Sequence, residues 1–278
     1  MLKIDSHQHF WTFDPIRDAW ITPDLGAIAH DFMPLNLKPH LDEFGFEGCI
    51  VVQSSQSADE NLFQLENATQ HHFIKGIVGW VDFEAPNLEE QLQEYQKQPL
   101  LKGFRHILQG EANRAILLEP VYKTGLNLLK KYGFTYDVLI FKDQLVYLHQ
   151  FLMENDSVPM VLDHLAKPDI KSGKITDWAV QMKEVAAYQN LYCKVSGMVT
   201  EADWLNWKYE DFEPFIDVAF NTFGADRLMF GSDWPVCNLA GGYQKVVELV
   251  ERYTKQLSNL EQEKFWGLNA SEFYKIKL

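Results

Sequence analysis

Cysteine is scarce in this chain, with three in 278 residues. An odd, small number in a chain of this length builds no disulfide framework and fits a reducing compartment. Long apolar runs are missing as well. No uncharged stretch reaches the ~18 residues needed to cross a bilayer, and the opening Met1-Leu2-Lys3-Ile4-Asp5-Ser6-His7 lacks the apolar segment of a secretory signal. A soluble, cytoplasmic protein is expected. Basic charge is also short, at 25 Lys and Arg against 39 Asp and Glu, a formal charge of −14. That field repels phosphate backbones and anionic lipids, and no Lys/Arg cluster offsets it locally, so neither nucleic acid nor a membrane surface is an expected partner. What is present is an ordinary globular mixture, 46% hydrophobic and 23% charged, long enough to bury a sizeable core.

Short β-branched or apolar runs alternate with amphipathic stretches along the whole chain. Candidate strands fall at Lys3–His9, Cys49–Ser54, Gly76–Phe83, Leu101–Leu108, Thr135–Phe141, Pro159–Leu165, Leu191–Gly197 and Arg227–Asp233. Helical periodicity marks Asp59–His72, Asn87–Gln98, Ala115–Tyr132, Asp143–Asn155, Ala202–Phe223, Tyr243–Gln256 and Leu260–Tyr274. A parallel crossover requires a covering helix, so repeated βα units imply a parallel sheet. Eight of them is the number that closes a (β/α)₈ barrel. With no linker-like tract, one domain over residues 1–278 is expected; a doubly wound open sheet is the competing arrangement. The one long irregular connection, Phe10–Pro39, carries Trp11, Trp20 and four prolines, and its aromatic content suggests a packed loop over the end of the first strand.

The residues with chemistry gather at predicted strand ends. His7 and His9 share one face of the first strand by alternation, where they could bind a metal or polarise a carbonyl; two ordinarily hydrogen-bonded histidines are the plain alternative. The eighth strand, Met229-Phe230-Gly231-Ser232-Asp233-Trp234-Pro235, ends in a carboxylate suited to a metal ligand, a general base or a mere turn. In a closed barrel the first and eighth strands are neighbours, which sets Asp233 beside His7 and His9. The sixth strand offers Asp163 and His164, of which strict alternation lets only one face the mouth; His164 is the expected one, with Lys167 following on the loop. In the fourth strand Arg105 and His106 compete in the same way. Both, with Lys167, are candidates for substrate contact, Arg105 as a donor to a substrate oxygen. Cys49 and Cys193 read as small core residues.

Together, IDSHQHFW, DHLAKP and GSDWP resemble the amidohydrolase superfamily, and more closely its sugar-lactonase branch, over essentially the whole chain. The resemblance implies a (β/α)₈ barrel that hydrolyses a cyclic ester by activated water. It assigns Asp233 and His164 to catalysis, with Asp233 deprotonating the water, and His7, His9 and Asp233 to a metal site. Two-metal members carry a lysine or glutamate in the fourth strand and a histidine in the fifth. Here those strands hold Arg105-His106 and Thr135-Tyr136-Asp137-Val138-Leu139. At most one divalent ion, zinc first among them, is therefore expected, and a metal-independent reaction stays open. A metal-dependent decarboxylase and a non-catalytic binding barrel are the alternatives. Of five arginines (Arg17, Arg105, Arg114, Arg227 and Arg252) only Arg105 ends a candidate strand. A dicarboxylate is usually gripped by several guanidiniums, so a neutral polyhydroxylated lactone is the expected substrate, with Trp11, Trp20, Trp80 and Trp234 offering faces for its ring. Homo-oligomerisation is left open.

Overall fold

A computed structural model describes residues 1–155 and 157–277. Eight parallel strands run in sequence order: β1 Ile4–Gln8, β2 Gly48–Val52, β3 Ile74–Gly79, β4 Leu101–Ile107, β5 Thr135–Leu139, β6 Met160–Leu162, β7 Leu191–Val195 and β8 Leu228–Phe230. The covering helices are α1 Pro34–Phe44, α2 Ala58–Gln70, α3 Leu88–Tyr95, α4 Pro120–Lys131, α5 Leu145–Asn155, α6 Thr176–Ala186, α7 Tyr209–Phe223 and α8 Gly242–Thr254. Two short helices, α9 Asn259–Glu263 and α10 Asn269–Phe273, follow on either side of a wide π-turn at Lys264–Leu268. The architecture is a (β/α)₈ barrel, and no helix among the described residues is long and apolar enough to cross a membrane.

Two helices lie outside the sequence-based reading. α1 takes up the end of the segment read as the irregular Phe10–Pro39 connection, and α6 lies in a stretch with no assigned helix. Pro34 sits in the first turn of α1, where a missing N–H costs nothing, and Gly45 ends it in a left-handed conformation (φ 70°). In the opposite direction, the helix expected from Ala202 begins only at Tyr209, and that from Ala115 only at Pro120.

Alternation sorts the strands into two cores. In β2, Cys49 and Val51 join the large apolar cluster beneath the helices, while Ile50 and Val52 face inward. The inward set, with Ile4, Val78, Val161 and Met229, forms an apolar floor that Ala270, Phe273, Tyr274 and Ile276 of the C-terminal segment close from below. β1 obeys alternation only after a correction. Its pairing with β2 slips between Asp5 and Gln8, so three steps on β1 oppose two on β2. This bulge lets Ile4 and His7 both face the interior although they are three positions apart, an odd offset.

Closure joins the two ends of the sheet. Asp233 N–H donates to His7 O (2.8 Å), His9 N–H to Trp234 O (2.7 Å), and the Ser6 hydroxyl to Phe230 O (2.6 Å). The Asp5 carboxylate accepts the N–H groups of Ser232 (2.9 Å) and His7 (3.2 Å). Gly231 permits this approach, because a Cβ there would stand 2.6 Å from that of His7.

Candidate active site

Five of the expected residues meet at the C-terminal mouth: His7, His9, Arg105, His164 and Asp233. Oδ1 of Asp233 lies 3.4 Å from His9 Nε2, 3.9 Å from His7 Nε2 and 4.0 Å from His164 Nε2. His7 is fully buried and the others nearly so. Burial, and then the nearby Lys194 ammonium, hold His7 well below the usual imidazole pKa. Burial does the same for His164, so both rings are neutral. Burial alone would raise the pKa of Asp233, but the His164 and His9 rings outweigh it and keep the carboxyl below 3.8. The centre is one carboxylate among imidazoles.

Each ring is aimed from behind. His9 Nδ1 is 2.7 Å from Val52 O, and a carbonyl can only accept, so Nδ1 carries a proton and Nε2 is turned toward Asp233. His7 is fixed similarly. Arg105 Nη1 lies 3.3 Å from His7 Nε2, while Asp163 Oδ1 (3.2 Å) and Lys194 Nζ (3.1 Å) face Nδ1. His164 Nδ1 pairs with the Ser196 hydroxyl at 2.9 Å. Gly197 (φ 60°) makes room for that ring, since a Cβ there would meet His164 Nδ1 at 2.5 Å.

Strict alternation would send Asp163 and His164 to opposite faces; in the structure His164 borders the mouth and Asp163 is buried beneath it. β6 stops at Leu162, and His164, Leu165, Ala166 and Lys167 all take left-handed φ between 52° and 56°. This conformation costs L-residues energy and persists only when its surroundings hold it. Asp163 leaves the strand pointing inward, and the reversal then swings His164 over the mouth.

Arg105 and His106 separate cleanly. Arg105 borders the cavity, but its guanidinium is committed to Asp163 Oδ2 (3.1 Å) and to Gln53 O (2.5 Å). His106, expected to touch substrate, faces the helices. Its Nε2 meets Val81 O at 2.9 Å, and its ring packs on Phe83 and Tyr122. Burial pushes its pKa down to about 4. Lys167 borders the cavity and lies 3.7 Å from Glu201. Among the tryptophans, Trp11 and Trp20 line the mouth. Trp80 belongs to a separate acidic groove with Asp82 and Glu84, and Trp234 is buried against Phe10 and Phe32.

Beneath the mouth lies a layer that the sequence-based reading missed. Lys194 of β7 is fully buried, with Nζ 2.5 Å from Asp137 Oδ2, 3.1 Å from Asp163 Oδ1 and 3.1 Å from His7 Nδ1. The Tyr274 hydroxyl donates to Asp137 Oδ2 (2.8 Å). The available signal was a lysine inside Leu191-Tyr192-Cys193-Lys194-Val195, since a strand of a parallel barrel is covered on both faces and has no solvent side for a charge.

The donor set suits one divalent ion. Ligand atoms of His7, His164 and Asp233 lie within 4.8 Å of one another. His9, expected as a ligand, stands beside this group at its 3.4 Å approach to Asp233. The cavity above measures about 240 Å³ and is bordered by Ile107, Leu139 and Val236 as well as the polar groups.

Comparison with known proteins agrees with this geometry. The profile of a family described as "Amidohydrolase" matches residues 4–276. The chain is 38% identical to an L-fucono-1,5-lactonase of Burkholderia multivorans, over 99% of this chain and 96% of that protein. It is 32% identical to an L-fucono-1,5-lactonase of Burkholderia ambifaria over the same shares. A crystal structure of a B. multivorans amidohydrolase with bound zinc superimposes with a TM-score of 0.96 at 38% identity, covering all of both chains.

Proposed function

The chain belongs to the amidohydrolase family, and from that premise we propose that it opens the ring of a neutral sugar-acid lactone of the L-fucono-1,5-lactone type. It is a hydrolase acting on a cyclic ester. The observation that carries the reading is the placement of Asp233 Oδ1 within 3.4–4.0 Å of three imidazole nitrogens at the floor of a small cavity. A carboxyl held below 3.8 is ionised at neutral pH and ready to accept a proton.

Asp233 takes a proton from water as the water oxygen bonds to the carbonyl carbon and the C=O pair moves onto oxygen. When the tetrahedral centre collapses, the carbon–ring-oxygen bond breaks, and Asp233 returns the proton to the departing oxygen. The product is the open hydroxy acid. Without an ion, the His164 imidazole edge, with Nε2 4.0 Å from Asp233 Oδ1, is the group this reading assigns to the carbonyl oxygen as it gathers charge. His7, His164 and Asp233 would hold a divalent ion, zinc by the chemistry of nitrogen and carboxylate donors, with His9 alongside. Such an ion supplies Lewis acidity that acidifies water and polarises an ester carbonyl.

The lining favours a neutral substrate. Arg105, the one guanidinium bordering the cavity, is already bound to Asp163 and Gln53, leaving Lys167 as the lone further cation there. The indole faces of Trp11 and Trp20 suit a sugar ring, and the apolar edge of Ile107, Leu139 and Val236 suits a deoxy methyl group. The reading puts Lys167 in contact with substrate hydroxyls and removes His106 from that role. The test is a pH-indicator assay over L-fucono-1,5-lactone, other aldonolactones and a pyrone dicarboxylate, with chelator and with added zinc. Fastest turnover of the 6-deoxy lactone is expected; faster turnover of the dicarboxylate would overturn the substrate assignment.

A further inference from the structure

The interior holds a second donor set that could take a metal, formed by His7, Asp137 and Asp163, whose ligand atoms lie within 4.8 Å of one another. All three side chains are fully buried. The space among them is filled: the Lys194 ammonium stands 2.5 Å from Asp137, 3.1 Å from Asp163 and 3.1 Å from His7 Nδ1. We propose that Lys194 is a protein-supplied cation in the place of a second metal ion, and that it limits the centre to the one ion that the Nε2 side of His7 can share.

Charge makes the case. Two fully buried carboxylates require positive charge close by. Arg105 reaches only Asp163, through Oδ2. Asp137 has Lys194 as its one cationic partner among the described residues, with the Tyr274 hydroxyl as its other hydrogen-bond donor. Remove the ammonium and this layer keeps two anions against one guanidinium, with three donors around a hole the length of a lysine side chain. Nitrogen and carboxylate ligands bind zinc at roughly 2.0–2.2 Å, so the donors need close in only modestly from their present distances to Nζ. Coordination through His7 Nδ1 requires that nitrogen without its proton, any proton there being released to solvent. In the intact protein Lys194 further serves as a positioning residue: with Asp163 it backs the Nδ1 edge of His7 and keeps Nε2 toward the mouth.

The inference concerns ion count, so it stands apart from the identity of the substrate. The test compares the parent protein, Lys194→Ala and the charge-matched double variant Asp137→Asn/Lys194→Ala. Each is loaded with zinc, desalted and measured for zinc per chain and for thermal stability with and without the ion. The parent is expected to hold no more than one zinc. Lys194→Ala is expected to hold one more than the parent and to gain more thermal stability from zinc, or to fold only when zinc is supplied. The double variant is expected to fold and return to the parent count. A folded Lys194→Ala protein with the parent count overturns the proposal. So does a Lys194→Ala protein that fails to fold with or without zinc, whatever the double variant does.

Discussion

Two buried aspartates, Asp163 and Asp233, stand at the ends of β6 and β8, and their surroundings differ in kind. Asp163 is enclosed: Arg105 Nη1, Lys194 Nζ and His7 Nδ1 all lie within 3.2 Å of its oxygens. Burial would raise its pKa, yet Lys194, His7 and Arg105 hold it well below the carboxylate range. Among the described residues Asp233 has no lysine or arginine in contact, only imidazole nitrogens at 3.4–4.0 Å and a cavity above. A carboxylate enclosed by cations is structure; one facing weak partners and open space is free to move a proton. Residue type alone does not separate them.

The largest effect expected is on the open side of this contrast. Asp233→Asn should lower kcat by about 10³-fold, within the range that general-base removal costs, and leave the thermal midpoint close to that of the parent. Steady-state rates on the lactone with a parallel melt check both halves. On the closed side, Asp163→Asn leaves Arg105 and Lys194 short of a counter-charge in the interior. Removing one partner of a buried pair costs about 3–5 kcal/mol, to be read from denaturant unfolding.

Gly197→Ala sharpens the contrast without touching either carboxylate. Its Cβ would press on His164 and its φ of 60° would strain. A misplacement near 1 Å lowers turnover by about 10²-fold, which parallel kcat values would reveal; an unchanged kcat would show that the His164 position is not critical. The smallest effect belongs to His106, outside the mouth. Its pKa falls from 6.5 in the unfolded chain to about 4 in the fold. The unfolded state therefore binds a proton that the folded state refuses between these values. His106 carries no such penalty above pH 6.5, and the penalty grows as pH falls toward 4, by about 1.4 kcal/mol per unit. Between pH 7.5 and pH 5 the stability difference between parent and His106→Gln should shift in favour of the variant by about 2 kcal/mol, with kcat nearly unchanged.

Much of this was legible beforehand. The eight βα repeats gave the barrel, and barrel closure placed Asp233 beside His7 and His9. What stayed hidden was departure from regular geometry. The bulge between Asp5 and Gln8 turns His7 inward where strict counting from Ile4 would turn it out. The left-handed run from His164 to Lys167 sets His164 over the mouth while Asp163 points into the interior beneath it. Neither bears a local signature, because the surrounding packing imposes both. Lys194 and Asp137 were visible as charges inside apolar strands, yet their meaning depended on their meeting across the barrel. Arg105 and His106 show the converse: alternation held along β4, and only one of them reached the mouth.

The most direct measurement sets Asp233→Asn and Asp163→Asn side by side for kcat/KM on L-fucono-1,5-lactone and for unfolding free energy. The expected pattern crosses, with near-complete loss of turnover and a retained fold for Asp233→Asn, and a large loss of stability for Asp163→Asn. Turnover by Asp233→Asn within tenfold of the parent would contradict the assignment of the open carboxylate as the base.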